Sequence, residues 1–330
     1  MPAFSGRAIA SYADLVADVA AAEVRTWPAG REVRALDRMN ALTLEVILRV
    51  VFGVTDEARL DRLRPPVERI VGVSPAVLLG WGYARLHRLP MWRRAVRDQD
   101  ALDVELFDLI AERRRSPDLA DRTDVLSRLL REGTPEDGGL SDVELRDQLV
   151  TLLLAGHETT ASSLAWALYE LAADPGLQQR ARRAADEGDD GYLEAVLKEA
   201  MRLHPVIPMA IRHLAEPVRI GGWDLPAGVS LATSVILSHA RSESFPDPER
   251  FRPERFLDDE VAPHTWIPFG GGVRRCLGAG FALMEGTVVL REVLRTHDLA
   301  LSRGPVERVR VRNITSVPGG GARLVVRRRT

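Results

Sequence analysis

The chain lacks most features that would mark it as secreted, membrane-spanning or nucleic-acid-binding. It has one cysteine in 330 residues, so it cannot form an internal disulfide framework, which favours a cytoplasmic location. No apolar run reaches the about 18 residues expected of a membrane span, and the N-terminus has no signal-peptide pattern. A formal net charge of −2 argues against nucleic acid as the main partner.

The chain is long enough to bury a large core, and no strong linker or repeat divides it. These properties predict a single domain over residues 1–330. Helical periodicity dominates residues 1–204, whereas residues 205–330 carry short β-like and irregular stretches. The predicted class is mainly α with a small β portion. Predicted helices cover residues 12–27, 35–52, 56–71, 92–115, 124–132, 141–173, 191–204 and 279–295, and predicted strands cover 218–220 and 229–232.

Two familiar motifs begin but are not completed. His157 and Glu158 start a zinc-protease pattern, but Ala161 stands where the second histidine is required. The glycines at 278–280 open like a dinucleotide fingerprint, yet Leu283 takes the place of the third glycine. Neither a zinc hydrolase nor a dinucleotide-binding domain is therefore predicted.

The one cysteine, Cys276, lies in the glycine-rich segment Phe-Gly-Gly-Gly-Val-Arg-Arg-Cys-Leu-Gly at residues 269–278. Glycines let backbone N–H groups approach the sulfur, and Arg274 and Arg275 favour the ionised thiol that binds iron. The helix predicted at 279–295 adds a positive N-terminus nearby. A buried structural cysteine is the alternative. The environment favours a thiolate metal ligand.

The pattern Phe269, Gly272, Arg274, Cys276 and Gly278 resembles the haem-binding loop of the cytochrome P450 superfamily, the haem-thiolate monooxygenases. The resemblance implies a cytochrome P450-like fold with haem b (iron protoporphyrin IX) as cofactor. It makes Cys276 the axial iron ligand, places Arg274 on a haem propionate and packs Phe269 against the ligand loop. A thiolate suits this chemistry because it pushes electron density onto iron and favours O–O cleavage.

A second motif pairs Glu199 with Arg202 on one face of a predicted helix, because the two residues are three apart. Alone, such a pair is usually a solvated surface contact. With the Leu-His-Pro that follows at 203–205, it resembles the family's Glu-x-x-Arg helix, and 253–256 resembles the segment that supplies a third charge. The resemblance implies a buried triad of Glu199, Arg202 and Arg255 that clamps the haem pocket.

The third motif is Ala-Gly-His-Glu-Thr-Thr at residues 155–160, inside the long predicted helix 141–173. It resembles the oxygen-activating helix of the same family. By that resemblance Ala155 and Gly156 line the oxygen groove, while Glu158 and Thr159 deliver protons during oxygen activation. A threonine that simply bonds to its own helix is the alternative. No role is assigned to the intervening histidine.

Two further expectations come from position in the chain. Arg212, shortly after Pro208, lies where family members often place a second propionate-binding arginine, and its bidentate group suits a carboxylate. Residues 72–91 are apolar and aromatic, and they fall between two helices that roof the active site in proteins of this family. This segment is a candidate substrate lid, with a core-packing loop as the alternative.

One departure from the family concerns the start of the chain. Residues 1–6 resemble the family segment that ends an early helix at the edge of the haem. The expected fold is therefore N-terminally truncated, either because the start lies upstream, because the chain is a fragment, or because the short form is genuine. Loss of early strands and a helix predicts weak haem retention.

The resemblance implies a monooxygenase that inserts one atom of O2 into a small apolar organic substrate. Electrons would come from a ferredoxin and a ferredoxin reductase or an equivalent donor, since the sole cysteine leaves none for a fused iron–sulfur module. The alternative function is a truncated haem-binding paralogue without monooxygenase turnover. A peroxide-driven enzyme is a third option, against which Glu158 and Thr159 argue.

Overall fold

The computed structural model describes residues 2–72, 77, 82–83, 85–257, 261–262, 264–304 and 306–329. Helix makes up 57% of the structure and strand 12%, so the mainly α class with a small β portion is confirmed. Residues 73–76, 78–81 and 84 of the candidate lid at 72–91 lie outside the described residues. No helix in the part that the structure describes is long and apolar enough to cross a membrane.

In chain order, the helices are α1 (Gly6–Ala10), α2 (Ala13–Arg25), α3 (Ala35–Val46), α4 (Glu57–Val71), α5 (Pro90–Arg114), α6 (Val125–Leu130), α7 (Asp142–Ala173), α8 (Pro175–Glu187), α9 (Asp190–Leu203), α10 (Val235–His239) and α11 (Ala279–Thr296). A π-helix, Ile47–Val51, continues α3.

The strands are short and pair antiparallel throughout. β1 (Glu32–Arg34), β9 (Arg323–Arg328) and β6 (His297–Leu301) form a three-stranded sheet in the order β1-β9-β6. Further two-stranded sheets join β2 (Met209–His213) with β5 (Ser230–Ser234), β3 (Val218–Ile220) with β4 (Trp223–Leu225), and β7 (Val309–Arg312) with β8 (Thr315–Pro318).

The chain divides into two compact units. The first comprises Met1–Trp27, Asp37–Ala161 and Gly280–Val293, and the second comprises Pro28–Leu36, Ser162–Ala279 and Leu294–Thr330. The first unit is helical and includes the motif at 155–160. The second holds the sheets that the structure describes, the Glu199 motif and the cysteine loop. The single domain over residues 1–330 stays a prediction.

Local sequence explains where α4 and α7 begin. Asp56 caps α4, since its carboxylate accepts the backbone N–H of Arg59 at 2.9 Å. Ser141 and Glu144 cap α7 reciprocally: the Glu144 N–H donates to Ser141 Oγ at 3.3 Å, and the Ser141 N–H donates to Glu144 Oε2 at 2.9 Å. The α7 helix then runs without a break through residues 155–160.

The predicted helices differ from the structure at 35–52 and at 175–187, and several short helices and strands of the structure have no predicted counterpart. The single helix predicted at 35–52 changes from α to π at Ile47, a change that leaves no simple hydrophobic signature. The structure also has α8, where no separate helix is predicted. Its signals are present in the sequence: Asp174 accepts the backbone N–H of Gly176 at 2.8 Å, Pro175 occupies the first turn, and Gly188 ends the helix with φ 77°.

Candidate active site

The cysteine loop is a tight backbone structure that leaves its thiol exposed. The N–H of Cys276 donates to the carbonyl oxygen of Phe269 at 2.9 Å, which closes the loop at its base. Gly270 and Gly272 have φ of 66° and 65°, a left-handed conformation that glycine adopts without steric cost. Within this closed loop Cys276 is solvent-exposed, so its sulfur is available to bind an iron atom outside the loop.

The loop leads directly into α11, whose first residue is Ala279. The thiol therefore lies three residues before the positive end of a helix, which favours a negative ligand atom. A Cβ added at Gly278 would lie 4.0 Å from Cys276 Sγ, which is an ordinary van der Waals contact. Phe269 packs edge-on against Trp266 with ring centroids 5.7 Å apart.

Two arginines of the second unit are candidates for binding carboxylates. Arg274 is exposed in the loop, and Arg212 is exposed on β2 opposite Leu231 of β5. Arg212 Nη1 donates to the neighbouring Ile211 carbonyl oxygen at 2.9 Å. Within the described residues neither arginine forms an ion pair. Two uncommitted guanidinium groups suit a ligand with two carboxylates.

The donor set of the second unit fits haem b. An exposed thiol would provide a soft ligand for iron, and two exposed guanidinium groups would suit the two propionates. The loop also exposes Val273 fully and Leu277 at 47%, which is apolar surface of the kind a porphyrin covers. These properties are those of a haem-thiolate protein.

Glu199, Arg202 and Arg255 form a buried cluster in the second unit, each at most 2% exposed. Glu199 Oε2 accepts from Arg202 Nε at 2.7 Å, and Oε1 accepts from Arg202 Nη2 at 2.9 Å. Glu199 Oε1 also accepts from Arg255 Nε at 3.0 Å and from the Arg252 N–H at 2.9 Å. The carboxylate thus has four donors, which satisfies it fully in its buried position.

The two guanidinium groups use their remaining protons on backbone carbonyls. Arg202 and Arg255 both donate to the carbonyl oxygen of Arg250 at 3.3 Å, and Arg255 Nη1 donates to that of Pro246 at 3.2 Å. Residues 246–252, which the structure describes in full, contain no strand or α-helix. The cluster therefore supplies the hydrogen bonds that secondary structure would otherwise supply.

His239 joins this cluster to the cysteine loop, although no sequence motif marks it. Its Nε2 accepts the N–H of Ile267 at 2.9 Å, and its Nδ1 lies 3.2 Å from the Arg202 carbonyl oxygen. Its own carbonyl oxygen accepts from Arg202 Nη1 at 3.1 Å. Burial lowers the pKa of His239 to about 4, so the ring is neutral, with its proton on Nδ1.

The candidate oxygen motif lies in the first unit, in the middle of α7. Ala155 is exposed, Gly156 and Thr159 are half-buried, and Glu158 is buried at 7% exposure. Thr159 Oγ1 donates to the carbonyl oxygen of Ala155 at 2.6 Å, so its hydroxyl oxygen still has lone pairs to accept a proton-bearing partner. The geometry contains the helix bond of the alternative interpretation, and the Thr159 side chain is only half-buried.

His157, which received no role from the sequence, is buried at 5% exposure. Its Nδ1 is 3.0 Å from Oγ1 of Thr43 on α3. No motif marks Thr43, since a threonine within a helix has no sequence signature for a contact more than a hundred residues away. The periodicity of α7 alone, with residue 157 opposite residues 155 and 159, could have indicated that this histidine faces inward.

The chain belongs to the cytochrome P450 family, whose family model matches residues 1–318. It is 51% identical to the putative cytochrome P450 135A1 of Mycobacterium tuberculosis, in an alignment covering 100% of this chain and 74% of that protein. It is 43% identical to the putative cytochrome P450 135B1 of Mycobacterium bovis, covering 99% of this chain and 70% of the relative. The chain thus spans roughly three quarters of the length of these relatives.

Solved structures of the same family resemble this fold. A cyanobacterial CYP120A1 with bound retinoic acid aligns over 99% of this chain and 77% of its own, with a TM-score of 0.85 and 26% identity. The haem domain of cytochrome P450DA aligns over 100% of this chain and 76% of its own, with a TM-score of 0.86 and 27% identity. Membership in this family makes the protein a haem-thiolate monooxygenase with haem b as its cofactor.

Proposed function

We propose that this monooxygenase inserts one atom of O2 into a small apolar organic substrate, using electrons from a separate ferredoxin and ferredoxin reductase or an equivalent donor. The observation that carries the proposal is the exposed thiol of Cys276 in its closed glycine loop, three residues before α11. The retinoic acid bound by the cyanobacterial neighbour supports an apolar class of substrate. A cytoplasmic location accompanies the proposal.

The cofactor-binding residues act from the second unit. Cys276 ligates iron, while Arg274 and Arg212 hold the two propionates by charge-assisted hydrogen bonds. Phe269 supports the loop in two ways: its carbonyl oxygen accepts the Cys276 N–H, and its ring packs against Trp266. Gly272 supplies the left-handed turn that the loop needs, and Gly278 follows the ligand at the end of the loop.

The triad of Glu199, Arg202 and Arg255 acts as a structural clamp and takes no part in proton transfer. Its three side chains are enclosed and saturated with partners. Through His239 it also reaches Ile267, whose carbonyl oxygen accepts the N–H of Gly270 at 3.0 Å. The clamp therefore fixes the base of the ligand loop.

Oxygen activation uses the first unit. Haem, when bound, supplies an iron centre at which O2 is reduced, and the thiolate ligand favours O–O cleavage. Ala155 and Gly156 line the oxygen groove, because their minimal side chains leave room at this turn of α7. Thr159 holds a proton at its hydroxyl and passes it on, and Glu158 replenishes that proton as the acid of the pair.

The test of this proposal is the spectrum of the reduced, CO-bound protein. Cys276→Ala should lose the thiolate-type CO absorption completely, because no other thiol exists in the chain. The control is Ile314→Ala, which changes an exposed residue of the second unit outside the cysteine loop and should keep that absorption.

A Cys276→Ala protein with an unchanged CO spectrum contradicts the ligand assignment. A wild-type chain with the thiolate spectrum that converts every supplied electron to hydrogen peroxide, with each apolar substrate tried, contradicts the monooxygenase proposal. That result would favour the haem-binding paralogue without turnover.

A further inference from the structure

Helix α3 contacts α7 at the turn that carries the candidate oxygen motif, and a buried hydroxyl makes the polar part of this contact. Thr43 is 0% exposed. Its Oγ1 lies 3.0 Å from Nδ1 of His157 and 3.1 Å from the His157 carbonyl oxygen, with the Asn40 carbonyl oxygen farther away at 3.4 Å. A carbonyl can only accept, so the hydroxyl donates its one proton to the His157 carbonyl and accepts from the N–H at Nδ1.

An apolar contact lies one turn further along α3. Ile47 is 2% exposed, and a side chain added at Gly156 would bring its Cβ 3.1 Å from Ile47 Cδ1. Thr43 and Ile47 are four residues apart and share a helix face. Ile47 is also the first residue of the π-helix Ile47–Val51, and such segments recur at functional sites. The hydroxyl and the isoleucine thus contact two successive residues of α7.

His157, which Thr43 contacts, lies on the side of α7 opposite Ala155 and Thr159, and Gly156 lies between these two sides. At 3.6 residues per turn, Ala155 and Thr159 share one face, and His157 points away from both. The burial agrees: Ala155 is exposed, whereas His157 is buried. The Thr159 hydroxyl is tied to the Ala155 carbonyl at 2.6 Å. Any rotation of this turn therefore carries the Thr159 hydroxyl with it.

We propose that Thr43 and Ile47 are positioning residues for Thr159. Thr43 holds both the ring and the backbone carbonyl of His157, which fixes the rotation of the turn. Ile47 against Gly156 fixes the distance between the two helices. The catalytic meaning of this arrangement rests on the proposed function, in which Thr159 passes a proton. The mechanical coupling itself does not depend on it.

The test follows the Thr159 methyl group by NMR in the full chain carrying ¹³C-methyl threonine, with Thr159→Val used for assignment. Thr43→Val removes the hydroxyl and keeps the shape of the side chain, so the Thr159 methyl signal should shift or split. Amide exchange at residues 157–161 should rise about five- to tenfold, as expected for loss of one buried hydrogen bond. Thr43→Ser retains the hydroxyl and should restore both measurements.

Thr151→Val is the matched control. Thr151 lies on α7, the helix that carries Thr159, and its exposed hydroxyl donates only to the Asp147 carbonyl oxygen at 2.7 Å. The Thr159 signal should therefore stay in place in this variant. An unmoved Thr159 methyl in Thr43→Val overturns the proposal, and so does a Thr43→Ser protein as disturbed as Thr43→Val. If Thr43→Val does not fold, Ile47→Val, which removes only the atom nearest Gly156, must move the same signal.

These measurements need neither turnover nor an electron donor, so they separate the two proposals. Failure of the thiolate CO spectrum overturns the proposed function alone. A Thr159 methyl signal that does not move in Thr43→Val overturns the positioning role alone.

Discussion

Glu199 and Glu285 are equally buried, at 0% and 1% exposure, yet their surroundings are opposite. Glu199, in the second unit, accepts hydrogen bonds from two guanidinium groups and a backbone N–H. Glu285, on α11 in the first unit, has no hydrogen-bond partner for its Oε1 among the described residues. Burial alone raises the pKa of Glu285 to about 8.

Two carboxyl groups with the same burial can therefore differ in charge, because hydrogen-bond and ion-pair partners stabilise the ionised form. Glu199 is the negative centre of a cluster with two positive charges, so removing it leaves both charges stranded. Glu285 has no such charged cluster around it and is more stable in the folded chain as a neutral acid. One glutamate therefore holds charged neighbours in place, and the other carries a proton at neutral pH.

Breaking the charged cluster should give the largest effect. Glu199→Gln keeps the shape of the side chain but leaves Arg202 and Arg255 without a counter-charge, so the free energy of unfolding should fall by about 3–5 kcal/mol. Urea unfolding followed by circular dichroism measures this loss. We also expect weaker haem retention, because the clamp holds the segment that precedes the ligand loop.

The control for this change lies on the same helix. Glu194 is 40% exposed and pairs with Lys198 at 2.6 Å, and such exposed pairs are worth about 0–1 kcal/mol. Glu194→Gln should therefore change the unfolding free energy by less than about 1 kcal/mol. Equal losses in the two variants would mean that the buried cluster contributes no more than a surface pair.

Glu285→Gln should sharpen the other side of the comparison. The pKa of Glu285 is about 8 in the folded chain against 4.5 ordinarily, so between these values the folded chain holds a proton that the unfolded chain has lost. Stability therefore falls as pH rises through this window. Glutamine does not titrate, so the variant should gain about 3 kcal/mol over wild type on going from pH 4 to pH 7.

The measurement is the unfolding free energy of both proteins at several pH values, with pH 4 as the internal reference, because both side chains are largely neutral there. Parallel curves for wild type and Glu285→Gln would show that Glu285 finds a partner in solution. A wild type that gains stability relative to the variant as pH rises would contradict a raised pKa for Glu285 in the folded chain.

The sequence predicts the local features of this protein well. Helix starts have local sequence signals, such as the capping box of Ser141 and Glu144. The spacing of the cytochrome P450 motifs identifies Glu199, Arg202 and Arg255 as a candidate cluster. The glycines around Cys276 indicate a tight loop, and the structure gives two of them left-handed φ. Each of these signals is contained in a few neighbouring residues.

Long-range partners could not be predicted in the same way. The ring of His239 contacts residues 37 positions before it and 28 after it, and Thr43 contacts a residue 114 positions away. Neither belongs to a local pattern, so only the folded chain reveals them. Glu285 is similar, because an acid on an amphipathic helix is normally expected to face solvent.

His239 provides the smallest and most specific test, because it is a buried titratable group with hydrogen-bond partners but no counter-charge. Its folded pKa of about 4 lies below the ordinary value of 6.5, mainly because burial disfavours the charged ring. As pH falls between these values, the unfolded chain takes up a proton that the folded chain refuses, so stability is lost with falling pH. By pH 5 the loss should be about 2 kcal/mol.

His239→Gln should abolish this part of the acid sensitivity, even if the variant is less stable throughout. The informative quantity is the difference between wild-type and variant unfolding free energies at pH 7 and pH 5, which cancels the contribution of every other group. His213→Gln, which replaces an exposed histidine of β2, should leave the acid sensitivity in place. If His239→Gln keeps the full fall in stability, then the ring is not held neutral between Arg202 and Ile267.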